Sequence, residues 1–303
     1  MINCLKEKSN LDEKNKDLIK EKNIESIGKG TNEGNKNSRF ALFLFFPKSF
    51  IMDKETIIRK ISKISNDEVK VEAILDKHER NVLYYEITIG NEKFELLEKN
   101  APMSEEICNI TIELTHVKKD ELDAMRQHNY HIIAFYTGES TDQNKIYNSY
   151  AKLAYGFLDY NLLGMANFYS CNALTASLIK KAFEDENAKD LFSIPALTIW
   201  RNFLRIPHND KVWFVTKGNN VYGIHEYAFY GTYEEGESVY EMFEDIFEYT
   251  YETKADMKAG DVIEIENDKY LKLRKVYELE DELEGIGIGT LVIENSTGSE
   301  INK

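Results

Sequence analysis

The chain has 303 residues, 42% of them hydrophobic and 12% aromatic, and a formal net charge of −15, enough apolar mass for one large domain or two small ones. Its charge is concentrated late: residues 1–38 carry +1, residues 39–209 carry −3 and residues 210–303 carry −13. A field of that sign repels nucleic-acid phosphate and anionic lipid and attracts basic protein surfaces, which argues against nucleic-acid and membrane partners.

Residues 1–38 are rich in Lys, Asn and Glu and end in "GKGTNEGNKNS". They offer little apolar surface to bury, so they read as a mobile tail. The opening "MINCLKEKSNLDEKNK" lacks the apolar core of a signal peptide, and Cys4, Cys108 and Cys171 are far apart and odd in number. Both features predict a reducing, cytoplasmic setting rather than a disulfide framework. The most hydrophobic run, "FALFLFF" at 40–46, stops at Pro47. A bilayer span needs about 20 residues, so this run reads as a buried strand.

From Arg39 onward the hydrophobic period switches regularly. Asp53 is the expected N-cap of a helix over "DKETIIRKISKIS", whose apolar residues 57, 58, 61 and 64 recur at helical spacing. "VKVEAIL" and "NVLYYEITIG" alternate as strands, and "NEKFELLEK" continues past an Asn-containing turn. A loop follows at Pro102, then a helix over "KKDELDAMRQH" and a buried strand over "YHIIAFYT". This order is β-α-β-β-α-β, the ferredoxin-like split arrangement, and defines a first α+β half at 39–140.

The second half, 141–295, repeats the alternation. "NKIYNSYAKLAYGFLDY" places Ile146, Tyr150, Leu153, Ala154 and Phe157 on one helical face. "LLGMANFYS" predicts a strand, "ALTASLIKKAFEDENA" a helix and "IPALTIWRNFLRI" a strand-rich stretch. An acidic helix around 238–252 comes next, then a hairpin in "DVIEIENDKYLKLRKVYEL", and "GTLVIEN" closes the sheet. Residues 296–303 read as a frayed end. The fold class is therefore α+β, with antiparallel or mixed sheets and helices.

Sequence signatures of catalysis are missing: there is no G-x-x-x-x-G-K-[ST], H-E-x-x-H or G-x-S-x-G. "GIGIGT" at 285–290 follows an acidic run and leads into a strand, so it predicts a turn rather than a dinucleotide loop. His128 and His131 form an H-x-x-H, a weak metal candidate because Zn²⁺ sites need three or four ligands. Capping of helix carbonyls is the favoured role for the pair, and no cofactor is expected. Ser238 and Glu241 predict a capping box for the acidic helix, with Val239, Met242, Phe243, Ile246, Phe247 and Thr250 on its buried face. Eight carboxylates lie between 234 and 252, and five more between 278 and 284. Glu241, Glu244, Asp245, Glu248 and Glu252 are the candidate partner-binding residues, facing a basic protein. Solvation alone is the competing reading of these charges.

The segment "WFVTKGNNVYGIHEYAF" at 213–229 supplies a second candidate. Gly218 and Gly223 allow the left-handed backbone that a Lys-Gly-Asn-Asn reversal needs, and Thr216 and Glu226 can bind backbone groups at its mouth. Thr216, Gly218, Gly223 and Glu226 thus form either a structural turn or a ligand loop. The segment resembles the W-x-x-T-x-G-L-x-x-F-G-x-x-E pattern of the domain of unknown function 4261, a largely bacterial family. "IPALTIWRN", "RQHNYHIIAF" and "YETKADMKAGDVIEI" are similar to that family's flanking tracts, so the resemblance spans roughly 39–294. Asn219 stands where the pattern has Leu, and Tyr222 where it has Phe. The resemblance implies an α+β domain with no assigned catalytic residues. Together these features predict a non-enzymatic protein-binding module of immunity or anti-defence type. The alternative is a small-molecule sensor or small enzyme with a pocket between the two halves, drawing on His128, His131 and Glu226.

Overall fold

The computed structural model describes residues 40–76, 82–115, 117–188, 191–266, 269–284 and 287–297. The expected tail at 1–38 lies outside them, as do residues 285–286 of the glycine turn and 298–303 of the expected frayed end. The chain divides into two compact units, one ending at Trp200 and the other beginning at Arg201.

The first unit is built on a seven-stranded sheet. Its strands are β1 (Ala41–Phe46), β2 (Val69–Asp76), β3 (Val82–Ile89), β4 (Glu92–Lys99), β5 (Tyr130–Tyr136), β6 (Gly164–Asn167) and β7 (Asn172–Thr175). Its helices are α1 (Lys54–Ile61), α2 (Glu105–Ile112), α3 (Lys119–Arg126), α4 (Gln143–Gly156) and α5 (Ala176–Glu184). All strand pairs are antiparallel, in the order β2-β3-β4-β5-β1-β6-β7. Every residue of β1 is buried, which explains an apolar run without alternation. Ala41, Phe43 and Phe45 face Cys108, Ile112 and Met125 of α2 and α3. On the other face Phe46 meets Phe157 at 5.9 Å, and Phe94 meets Tyr150 of α4 at 4.8 Å. Burying each such side chain contributes about 1.5–3 kcal/mol.

The α+β class is as expected, but the chain runs β-α-β-β-β-α-α-β up to β5 rather than β-α-β-β-α-β. The arrangement in space differs from the ferredoxin-like split, in which the first strand sits between the last and the third. Here the β2-β3-β4 meander joins β5, and β5 separates it from β1. The expected boundary at 140/141 also gives way to one at 200/201, because β6 pairs with β1 and carries β7 into the same sheet. Two elements escaped the sequence reading. Helix α2, "EEICNITI", has β-branched residues and follows the loop at Pro102. Strand β7, "NALT", ends in Thr175, whose hydroxyl caps α5 by accepting from the Leu178 amide at 3.3 Å.

The second unit has a six-stranded sheet in the order β11-β12-β13-β10-β9-β8. Its strands are β8 (Asn202–His208), β9 (Lys211–Lys217), β10 (Glu226–Gly231), β11 (Val262–Glu266), β12 (Lys269–Lys275) and β13 (Thr290–Thr297), with helices α6 (Gly236–Thr253) and α7 (Glu280–Leu283). Only the β10–β13 pairing is parallel. Ser296 and Thr297, expected in the frayed end, pair with Tyr270 and Lys269 of β12. The buried face of α6 carries Val239, Phe243, Ile246, Phe247 and Thr250, with Phe243 against Phe203 at 5.9 Å and Tyr227 at 6.1 Å. Met242 is only half-buried. Across the sheet, Trp213, Val215, Ala228 and Val292 pack with Val276 and Leu283.

Candidate functional site

The stretch between β9 and β10 is held by a buried carboxylate. Gly218 (φ 103°) and Gly223 (φ 72°) both take left-handed backbone and bracket a single 3-10 turn, Asn219–Tyr222, as their positions predict. At the foot of the turn, Glu226 accepts the Thr216 hydroxyl at 2.8 Å, the Gly218 amide at 2.8 Å and the Asn220 amide at 3.3 Å. Thr216 Oγ1 in turn accepts from the Tyr227 amide at 2.8 Å and from Asn219 Nδ2 at 3.1 Å. Glu226 is 1% exposed, and Thr216 and Asn219 are fully buried. Both carboxylate oxygens are engaged by donors, so this group clamps the loop.

The clamp continues into α6 through a residue that the sequence reading did not single out. Arg201, 1% exposed, donates from Nη1 to Asn219 Oδ1 at 3.2 Å and from Nη2 to Glu244. Its guanidinium lies 3.5 Å from the centroid of the Phe247 ring. Burial pulls the Arg201 pKa down from its ordinary value, and Glu244 opposes that shift. A buried charge persists only when it is paired and hydrogen-bonded. Asn219 is thus the bridge between Thr216 and Arg201. The available signal was an arginine inside the apolar stretch "IPALTIWRNFLRI".

This geometry divides the candidate partner-binding residues. Glu241, Asp245, Glu248 and Glu252 are exposed on α6. Glu244 is turned inward, its side chain 31% exposed and paired with Arg201, so it leaves the docking set. The capping box also falls elsewhere: Glu235 receives the Thr232 amide at 2.6 Å, while the Ser238 hydroxyl donates to the Glu235 carbonyl at 2.9 Å. One extra turn of backbone before the helix moves the box upstream.

His128 and His131 are buried in the first unit, with ring centroids 6.1 Å apart. His128 Nδ1 donates to the Met125 carbonyl at 2.8 Å, and Nε2 accepts the Met103 amide at 2.8 Å. His131 Nδ1 donates to the Ala101 carbonyl at 2.9 Å. Burial lowers both pKa values, that of His131 to about 4. The pair holds backbone at the end of α3 and in the loop at 101–103. Among the described residues no group of three or more His, Cys, Asp or Glu is placed to hold a metal ion, and no helix is long and apolar enough to cross a membrane.

Two of the cavities among the described residues bear on ligand binding. One, of about 250 Å³, is walled by the 222–225 loop, the last turn of α6 and the residues after it. The other, of about 480 Å³ in the first unit, is lined in part by the exposed Lys118 and by the exposed Lys181 of α5. Its Thr115 and Thr175 hydroxyls are already engaged within the protein.

No family model, curated protein or solved structure matches this chain. The functional reading therefore rests on the site's own chemistry.

Proposed function

We propose that the protein is a non-enzymatic binding module that regulates or neutralises a basic protein partner, in the manner of an immunity or anti-defence protein, through the outer face of α6. The observation that carries this reading is the stripe formed by Glu241, Asp245, Glu248 and Glu252. These residues recur three and four apart and are all exposed, while α6 contains no Lys, Arg or His. Tyr249, 54% exposed, lies within the stripe. An aromatic ring among carboxylates offers stacking as well as charge to an incoming arginine. Membership of the domain of unknown function 4261 belongs to the same proposal. Supporting it, Thr216, Gly218, Gly223 and Glu226, spaced apart in the pattern, converge on one clamp.

The test is capture of partners from the native cell, followed by kinetics with the purified partner. Converting Glu241, Asp245, Glu248 and Glu252 to Lys should leave the melting midpoint within about 2 °C. It should slow association by about tenfold or more at low salt, with the difference shrinking as ionic strength rises. A folded variant that binds at the wild-type rate places the interface elsewhere, and failure to capture any basic protein removes the proposal's support.

A further inference from the structure

The smaller cavity differs in sign from the unit that surrounds it. Residues 210–303 carry nine Lys and Arg against 22 Asp and Glu, yet Lys254 and His225 both face this space. The carboxylate there, Asp256, is paired with Lys258 at 2.7 Å and held below its usual range by that lysine. Lys254 follows α6 in left-handed backbone (φ 57°), with its ammonium 4.2 Å from the centroid of the Tyr251 ring. His225 Nδ1 donates to the Gly289 carbonyl at 3.2 Å, so Nε2 of the neutral ring presents a lone pair that accepts a donor group of a ligand. The remaining walls include Thr250 beside Ile224, Ile288 and the rings of Tyr222 and Tyr251. Those two rings stand edge to face at 5.8 Å and 87°. The volume of about 250 Å³ exceeds the roughly 150 Å³ that suffices to hold benzene.

We infer that this cavity binds a small amphipathic anion: a flat apolar body against the tyrosine rings, with its carboxylate or phosphate on the Lys254 ammonium. The wall combines apolar and polar surface, as an amphipathic ligand requires, and a charge-assisted bond supplies orientation. The site is separate from the exposed stripe of α6 and does not depend on it. The clamp at Glu226 fixes its loop wall, because Tyr222 and His225 lie between Gly218 and Glu226.

Isothermal titration of the full chain with benzoate and phenyl phosphate tests the inference, with benzyl alcohol and benzylamine as uncharged and cationic counterparts. The anions should bind at one site. Lys254→Asn should weaken them by about tenfold or more, since Asn tolerates left-handed backbone and removes only the charge. Ala255→Trp, which fills the cavity, should abolish binding, and Lys118→Ala in the first unit's cavity should leave it unchanged. The inference is overturned if neither anion binds at millimolar concentration, if benzylamine or benzyl alcohol binds as tightly, or if Lys254→Asn keeps wild-type affinity.

Discussion

At Glu226, a carboxylate 1% exposed to solvent receives one hydroxyl and two backbone amides, donors that only this loop conformation brings together. Removing it strands all three and takes a negative charge from the neighbourhood of Arg201. Glu226→Ala should therefore lower stability by about 3 kcal/mol, and Glu226→Gln by less, as read from urea unfolding. His131 makes a pH-dependent contribution. Its folded pKa of about 4 lies below the ordinary 6.5 because burial disfavours the charged ring, with His128 and Lys99 adding repulsion. The unfolded chain binds the proton first, so this contribution is full above pH 6.5 and is lost as pH falls from there towards about 4. The loss amounts to about 3 kcal/mol. A His131→Gln variant should show a flatter dependence of melting temperature on pH across that window. An unchanged slope would place the titration elsewhere.

Close backbone approach decides how β6 is built. A Cβ on Gly164 would come within 2.6 Å of the Leu174 carbonyl oxygen across the β6–β7 pair, and backbone cannot yield as a flexible side chain can. Gly164→Ala should cost about 1–3 kcal/mol, measurable as a lowered thermal midpoint. On α6 the two faces should separate cleanly. Glu244→Lys sets a second cation beside buried Arg201 and should destabilise by about 3 kcal/mol, whereas Glu248→Lys should change the midpoint little. The periods that exposed α1, α4, α6 and most strands were legible because each element buries one face or one stripe. Glu244 was misplaced because its position on the helix does not reveal a partner 43 residues earlier. The strand order was illegible for a related reason: alternation fixes which face is buried but not which neighbour is paired. Thr216, Gly218, Gly223 and Glu226 were legible as a turn from glycine spacing, while Arg201 and Asn219 needed the fold to bring them there.

Each unit carries one of the two tryptophans, Trp200 in the first and Trp213 in the second, so their fluorescence can follow the units separately. In a Trp200→Phe background, Glu226→Ala should shift the unfolding midpoint reported by Trp213. In a Trp213→Phe background, the same change should leave the midpoint reported by Trp200 in place, since each sheet has its own core. Equal shifts in both would show the units to unfold as one. The parallel seam in the second sheet also bears on biosynthesis. β13 sits between β10 and β12, with Glu226 aligned to Thr290, and a ribosome delivers it after every other strand of that sheet. Until it emerges, β10 and β12 each present an unpaired edge, the condition under which nascent chains pair wrongly. A slow codon cluster upstream of β13 would lengthen that interval, and a nonsense mutation before Thr290 would leave the sheet in two halves that no other described strand joins.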